Sequence, residues 1–342
     1  TRYLINPFLR ECQITMVYGY TGHGKSNFTL ATLFAAAAGK SWGPFDLWRT
    51  PKTLYFDFEN GLTTILDRME DLQQAFGNPG QNLMMWDRMA SNGAEDLNLR
   101  QQVGVARLFS IIEDQAPDVV VIDTARSAWV GLEENNAREW ADVNRVLRHI
   151  RDELGCAVIL IHHSNKPRMD ENGRIIGGTE SGSTAQLNDV ETQVRVTLCV
   201  EDEQTAFSKR AKSGAAKTPS EIGIAENEID QAFAKLRRQL RRPDDNLMFV
   251  YEISYEKVRI PTSNHSTVYV GAVEDADGSF YWIGTDSPRQ RVIKAAQLGL
   301  SAQEIQQFLG RAGERVVVGG RGYVNSDPLT LGLKQIKGWL QS

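Results

Sequence analysis

The sequence contains few cysteines and no long apolar run. Its 342 residues include only three cysteines, Cys12, Cys156 and Cys199, whose number and spacing fit neither a disulfide framework nor a thiolate metal site. No stretch approaches the roughly 18 uncharged apolar residues that a membrane-spanning helix needs, and no signal peptide is visible. We therefore expect reduced, mostly buried cysteines, no membrane contact and a cytoplasmic location.

The sequence also lacks an overall excess of basic charge. Lys and Arg number 38 against 43 Asp and Glu, which gives a formal net charge of −5. Basic residues are nevertheless concentrated in two stretches, with nine against four acids in residues 207–242 and eight against four in residues 286–342. A polyanion is therefore expected to meet local basic patches rather than a uniformly basic surface.

A glycine-rich motif occupies residues 19–26. Its sequence, Gly-Tyr-Thr-Gly-His-Gly-Lys-Ser, fits G-x-x-x-x-G-K-[ST] and lies between an apolar run at 14–18 and an Ala-rich stretch at 27–38. A strand-to-helix turn of this kind presents backbone N–H groups to phosphates, so the motif predicts a P-loop. The residues expected to contact a nucleotide are Gly19, Thr21, Gly22, His23, Gly24, Lys25, Ser26 and Asn27.

Three side chains predict how the phosphates and a metal are held. Lys25 is expected to reach the β- and γ-phosphates of ATP, and Ser26 to ligate Mg²⁺. Asp123 closes the apolar run Val119 to Ile122, a pattern typical of the carboxylate that holds Mg²⁺ in P-loop proteins. ATP and Mg²⁺ are therefore the expected ligands.

Short apolar runs alternate with amphipathic stretches over the first 200 residues. The runs at 119–122 and 156–161 are unbroken, as in strands covered on both faces, whereas residues 62–76 carry their apolar side chains on one helical face. This alternation predicts an α/β fold with a mostly parallel sheet. Functional side chains are expected at the carboxyl ends of such strands. The candidates that follow predicted strands are the P-loop, Glu59, Asp123 and His163.

Glu59 directly follows the predicted strand at 53–58 and is the candidate general base. A carboxylate at that position would face the γ-phosphate across the edge of the sheet and activate a water molecule. The alternative is an acid that complements the dipole of the following helix.

The chain changes character twice after residue 200. Residues 201–246 are polar and basic, and strands resume from residue 249, so we interpret this stretch as an insertion in an ATPase domain of residues 1–285. Residues 286–342 predict two short helices followed by a strand at 316–318. This order is typical of a helix-turn-helix or winged-helix domain, with a generic helical tail as the alternative.

Three of these motifs together resemble a known family. Glu59 in Phe-Asp-Phe-Glu-Asn, Asp123-Thr124 and His163 in His-His-Ser-Asn-Lys are similar to the RecA-like ATPases, most closely the RepA-like hexameric replicative helicases of plasmids and phages. The likeness covers about residues 4–285 with interruptions. It implies an ATP-dependent helicase or translocase that acts on single-stranded DNA as a homo-hexamer, with a primase or replication initiator as a partner. It further implies that Glu59 activates water and that His163 senses the γ-phosphate.

The resemblance also implies DNA-contacting residues. Residues 165–183 match the position of the loop that lines the central channel of RecA-like rings, so Lys166, Arg168 and Arg174 are expected to contact DNA phosphates. A solvated surface loop is the alternative.

The resemblance finally implies a basic finger, which is a residue that completes the nucleotide site of a neighbouring subunit. Lys257-Val-Arg259 resembles the K-x-R finger of hexameric helicases, and Arg259 has no obvious partner within its own strand pair. The pair in Arg210-Ala-Lys212 competes for the same role.

Two other functions fit these motifs. One is a RecA-like ATPase that loads or remodels DNA-bound proteins without unwinding, and the other is a DNA-binding regulator that uses nucleotide as a switch. Hydrolysis stimulated by single-stranded DNA would exclude the regulator, and unwinding of a forked duplex would exclude the remodeller.

Overall fold

The structure is a computed structural model that describes most of the chain. The residues described are 2–87, 97–133, 136–164, 168–169, 175–176, 189–199, 233–234, 236–237, 239–242, 245–259, 267–311, 315–318, 321–324 and 329–341. Within these ranges, no helix has both the length and the apolar character needed to cross a membrane.

The first half of the chain alternates strands and helices, and the second half is richer in strands. The strands are β1 (Tyr3–Asn6), β2 (Leu9–Arg10), β3 (Ile14–Gly19), β4 (Asp46–Leu47), β5 (Thr53–Asp57), β6 (Leu83–Asp87), β7 (Val119–Asp123), β8 (Ala157–His163), β9 (Arg168–Met169), β10 (Ile175–Ile176), β11 (Thr192–Cys199), β12 (Asn246–Val258), β13 (Val268–Glu274), β14 (Phe280–Gly284), β15 (Arg315–Val318) and β16 (Arg321–Val324). The helices are α1 (Lys25–Ala37), α2 (Leu62–Phe76), α3 (Gln102–Gln115), α4 (Ala125–Ala128), α5 (Ala137–Asp152), α6 (Pro288–Gln297), α7 (Ala302–Leu309) and α8 (Leu333–Gln341).

A nine-stranded sheet forms the centre of the protein, in the order β14-β13-β12-β11-β3-β8-β7-β5-β6. The strands from β11 to β6 pair in parallel, and β12, β13 and β14 extend the sheet with antiparallel pairs. The predicted α/β fold with a mostly parallel sheet is confirmed.

Helices cover both faces of the parallel strands. α1 and α2 pack on one face through residues such as Phe28 and Leu72, and α3 to α5 pack on the other through residues such as Leu108 and Trp140. The run 119–122 shows why the strand is apolar throughout: Val119 and Val121 face the first helical layer, whereas Val120 and Ile122 face the second.

The carboxyl ends of four parallel strands meet at one edge. The register pairs Gly19 of β3 with His163 of β8, and Asp57 of β5 with Asp123 of β7. β3 also lies between β8 and β11, which come later in the chain, and such crossing points form the ligand crevice of open α/β sheets. The fold therefore places the predicted nucleotide motifs together.

The N-terminal region forms a second, smaller sheet. β1 pairs with β2 and with β4 in a three-stranded sheet that the sequence pattern did not predict, because two of its strands have only two residues.

Most of the predicted insertion at 201–246 lies outside the described residues. Its described residues Phe233 and Leu236 pack against Val250 and Val273 of the antiparallel strands.

The C-terminal region has its own apolar cluster, formed by α6, α7 and α8 with the segment before α8. A capping box begins α7, with Ser301 and Glu304 bonded to each other's backbone N–H groups. β15 and β16 form a hairpin after the second helix. This order matches the predicted elements, but the helix-turn-helix or winged-helix assignment and the boundary at residue 285 stay predictions.

Candidate nucleotide site

The P-loop of this protein turns directly from β3 into α1. Gly22 and Gly24 have φ angles of +81° and +76°, which residues with a Cβ rarely adopt. A Cβ at Gly24 would also clash with the ring and hydroxyl of Tyr251, a residue of β12. The position therefore requires glycine for two independent reasons, and β12 forms part of the floor of the loop.

Lys25 lies inside this turn with only 4% of its surface exposed. Its ammonium group donates to the carbonyl of Tyr20 at 2.9 Å and lies 3.0 Å from Nδ1 of His163. Burial lowers the pKa of Lys25 to about 8, although attraction to Asp123 and Glu59 opposes the shift. The side chain therefore remains mostly cationic at neutral pH, as a phosphate ligand must be.

Asp123 is fully buried at the end of β7. Its Oδ2 accepts a hydrogen bond of 2.6 Å from the hydroxyl of Tyr55, whereas its Oδ1 has no hydrogen-bond partner among the described residues. Burial raises the pKa of Asp123 to about 6; repulsion by Asp57 adds to the shift, and the hydroxyls of Tyr55 and Ser26 oppose it. A buried carboxylate oxygen without a donor is an incomplete arrangement that a cation would complete.

The residues present fit a magnesium ion. Oxygen ligands suit Mg²⁺, and the Ser26 hydroxyl and Oδ1 of Asp123 supply two such atoms beside the P-loop. Mg²⁺ also needs few protein ligands, because substrate phosphates and water supply the others.

His163 connects the P-loop to Glu59. Its Nδ1 lies 3.0 Å from the Lys25 ammonium and 3.4 Å from the Thr21 hydroxyl, and its Nε2 lies 3.5 Å from Oε2 of Glu59. A neutral imidazole with its proton on Nε2 satisfies these contacts, because Nδ1 then accepts from Lys25. The hydrogen bond from His163 lowers the pKa of Glu59, so this carboxylate is ionised at neutral pH.

A cavity of about 120 Å³ lies beside the first turn of α1. Its lining residues are Asn27, Leu30, Arg68, Asp71, Leu72, Phe249, Ala272, Phe280 and Trp282. The Oδ1 of Asn27 is buried there and has no hydrogen-bond partner among the described residues. The walls of the cavity are aromatic and aliphatic, with a few polar groups.

The remaining predicted nucleotide contact, His23, is oriented differently. Its imidazole is buried and accepts a hydrogen bond of 3.3 Å from the backbone N–H of Leu198 in β11. The side chain of His23 therefore ties the P-loop to the sheet, and only its backbone lies in the turn.

Lys257 and Arg259, the two predicted finger residues, lie at the opposite edge of the sheet from the P-loop, where the parallel strands begin. Arg259 follows β12, and its backbone N–H donates to the carbonyl of Glu191, whose own N–H donates to the carbonyl of Ile14 at the start of β3. The guanidinium of Arg259 lies 3.5 Å from the Glu191 carboxylate. The expectation that Arg259 lacks a partner was therefore wrong, because Glu191 precedes the neighbouring strand and approaches it only in the folded sheet.

Other predicted residues lie partly or wholly outside the described part of the chain. Lys257 is described on β12, opposite Gln193. Lys166 and Arg174 are outside the described residues, as are Arg210 and Lys212 of the competing pair. For Arg168 the structure describes only the backbone, which forms β9 and pairs with β10.

Three residues of the site were not predicted from the sequence. Tyr55 and Asp57 lie on β5 and hold Asp123 and the Glu59 turn, and Tyr251 packs against Gly24. The alternation in Leu54-Tyr-Phe-Asp-Phe58 carries a usable signal, since it places two polar-tipped side chains on one face of a buried strand. Tyr251 carries no such signal, because it reaches the P-loop through strand pairing over a long sequence separation.

The comparison with known protein families agrees with this geometry. Residues 1–169 match the AAA domain family. The matched segment contains the P-loop, Glu59, Asp123 and His163 together with the first five helices. The match and the site geometry support a RecA-like P-loop ATPase.

The KaiC-like protein of the hyperthermophilic archaeon Pyrococcus horikoshii OT3 has a similar solved structure, with a TM-score of 0.45 and 13% sequence identity. The similarity covers 82% of this chain and 93% of that protein. The comparison with curated proteins found no match.

Proposed function

We propose that the protein is an ATP-dependent helicase or translocase that acts on single-stranded DNA as a ring in replication. The observation that carries the proposal is the position of His163. Its imidazole contacts both Lys25 and Glu59, and the chain that leaves its strand contains the predicted DNA contacts Lys166, Arg168 and Arg174. A change at the γ-phosphate would therefore reach the DNA-contacting segment through one side chain.

The hydrolysis step follows from the groups at the sheet edge. Glu59 accepts a proton from a water molecule, whose oxygen forms a bond to the γ-phosphorus of ATP as the bond to the β,γ-bridging oxygen breaks. ADP leaves with that electron pair, and the products are ADP and inorganic phosphate. Lys25 stabilises the negative charge on the phosphoryl oxygens, and Ser26 and Asp123 would hold Mg²⁺, which neutralises phosphate charge when bound.

The position of Arg259 supports a role in a neighbouring subunit. Arg259 lies beside Ile14, and β3 runs five residues from there to Gly19, a separation of about 16 Å at 3.3 Å per residue. Arg259 therefore cannot reach the P-loop of its own chain. In a head-to-tail ring, a surface of one subunit contacts a different surface of the neighbouring subunit. Arg259 can therefore complete the nucleotide site of that neighbour.

The test measures ATP hydrolysis with and without single-stranded DNA, followed by unwinding of a forked duplex. We expect single-stranded DNA to stimulate hydrolysis and the fork to unwind, with Lys25→Ala as the inactive control. Stimulation without unwinding would instead indicate an ATPase that remodels DNA-bound proteins. No stimulation would favour a nucleotide-switched regulator and would overturn the proposal.

Phosphate contacts by the segment after His163 can be measured separately. Alanine at Lys166, Arg168 or Arg174 should weaken binding to every DNA sequence equally and reduce the slope of log affinity against log salt by about 0.7 for each lost contact. Fluorescence anisotropy with two unrelated oligonucleotides at several salt concentrations checks this. An unchanged slope would place the DNA contacts in the basic insertion or in residues 286–342.

A further inference from the structure

Asp57 is a buried acid that the proposed hydrolysis step does not use. It ends β5, is 2% exposed and lies one strand away from Asp123 in register. A buried carboxyl group in such a place must be compensated by hydrogen bonds. The hydrogen-bond donors that surround Asp57 indicate its role.

The carboxylate of Asp57 holds the turn that presents Glu59. Its Oδ1 accepts from the backbone N–H of Glu59 at 2.9 Å and from that of Asn60 at 2.8 Å. The side-chain amide of Asn60 donates to both oxygens of Asp57, at 3.2 and 2.9 Å. A short acidic side chain that bonds to backbone groups two and three residues later fixes the chain direction at that point.

The turn has a second attachment on its other side. The backbone N–H of Phe58 donates to the carbonyl of Asp123 at 2.7 Å, so β5 and β7 remain bonded one residue beyond the end of β5. The backbone of Glu59 is thus fixed from both directions. Its side chain is 43% exposed and lies 3.5 Å from Nε2 of His163.

We infer that Asp57 is a positioning residue for the catalytic carboxylate of Glu59. The inference rests on the proposed function, because it needs Glu59 to act as the base. Asp57 acts through the backbone of Glu59 and sets the place from which Glu59 reaches the water. Displacing a catalytic group by about 1 Å costs on the order of 10²-fold in rate, so the effect of losing Asp57 should be on turnover.

Three variants separate positioning from charge. Asp57→Ala removes both acceptors and should lower kcat about 10- to 100-fold, with the KM for ATP within about threefold of the parent. Asp57→Asn keeps an acceptor for the two backbone N–H groups but removes the charge near Asp123, and should keep kcat within about fivefold. Asp67→Ala, an exposed acid on α2, should leave both constants unchanged.

The decisive experiment is a double-mutant cycle with Glu59→Gln. If Asp57 acts through Glu59, then Asp57→Ala should lower kcat by less than about threefold in the Glu59→Gln background. Multiplicative losses would overturn the inference, as would an Asp57→Asn variant as slow as Asp57→Ala, which would make the effect electrostatic. If Asp57→Ala fails a circular-dichroism melting test, Asp57→Ser takes its place in the cycle. Full activity of Glu59→Gln alone would instead overturn the assignment of the base, and the inference with it.

Discussion

The central sheet has one end where its parallel strands begin and one where they finish beside the P-loop. These two edges differ in how well their charged groups are paired. At the opposite edge from the P-loop, the Glu191 carboxylate accepts from the backbone N–H of Ile14 at 2.7 Å and contacts Arg151 at 2.7 Å and Arg259 at 3.5 Å. At the P-loop edge, an oxygen of Asp123 has no hydrogen-bond partner among the described residues.

The difference shows where the fold reserves interactions for a ligand. Ion pairing at the Glu191 end favours the charged forms, as the raised pKa of Arg151 shows, whereas burial at the P-loop end disfavours charged forms that a ligand would compensate. Lys25 and Asp123 at the P-loop edge have a lowered and a raised pKa, respectively. The edge with Glu191 would then serve stability and contact with a neighbour, and four experiments can break or sharpen this contrast.

The largest effect is expected for Lys25→Ala at the P-loop edge. Removing the phosphate-binding cation should reduce ATP hydrolysis to background, while the melting temperature stays close to that of the parent because the cation is poorly compensated in the fold. Malachite-green assay of released phosphate and thermal melting check the two parts. Lys40→Ala, at an exposed position after α1, is the control and should retain full activity. Turnover near normal in Lys25→Ala would remove the P-loop assignment.

Arg259→Ala tests whether the opposite edge acts on a neighbour. Loss of a trans finger should lower kcat by about 10³- to 10⁵-fold with little change in nucleotide affinity. Mixing Arg259→Ala with Lys25→Ala subunits should restore part of the activity, since some interfaces then pair an intact P-loop with an intact finger. Subunit exchange is verified with fluorescently labelled protein.

The matched control for the finger is Arg49→Ala. Arg49 is a surface arginine of similar exposure, 48% against 50% for Arg259, and it also pairs with acids of its own chain. It should leave kcat unchanged. Full activity of Arg259→Ala, or a fully active monomer, would mean that the Glu191 edge is structural only.

Glu59→Gln should have the next largest effect. The amide cannot accept a proton from water, so hydrolysis should slow by about 10²- to 10⁴-fold while binding of a fluorescent ATP analogue persists. Glu70→Gln, an exposed acid on α2, is the control. If Glu59→Gln abolished nucleotide binding, Glu59 would belong with Asp123 as a metal-holding residue.

The smallest effect concerns the pH dependence of magnesium use. Because burial raises the pKa of Asp123 to about 6, Mg²⁺ must displace a proton below that pH. The Mg²⁺ concentration for half-maximal hydrolysis should rise about tenfold per pH unit below pH 6 and level off above pH 7. Tyr55→Phe removes a hydrogen-bond donor that favours the ionised form of Asp123, so the pH at which the Mg²⁺ requirement begins to rise should increase. If that pH did not change, another group would control the requirement.

The sequence predicted best what depends on local pattern. The strand 119–123 and the helix 62–76 lie where the sequence predicts them, since each is specified by apolar spacing within its own residues. The P-loop and the strand-end acids Glu59 and Asp123 were likewise visible, because one rule about parallel sheets places them together.

What the sequence did not predict depends on contacts between distant segments. The Asp123–Tyr55 bond joins residues 68 apart, and Arg259 and Glu191 also meet through strand pairing. No periodicity encodes such pairs, because they follow from strand order and register, which a local pattern leaves open. His23 illustrates the same point, since its position in the motif did not predict its bond to β11.

The contact of Tyr251 with Gly24 bears on where this protein can be divided. The family match ends at residue 169, yet Tyr251 supplies the floor of the P-loop, and β3 pairs on one side with β11. A gene fragment that stopped at residue 169 would expose one flank of β3 as an open edge. Any recombination that exchanged the P-loop region would therefore have to transfer β11 and β12 with it.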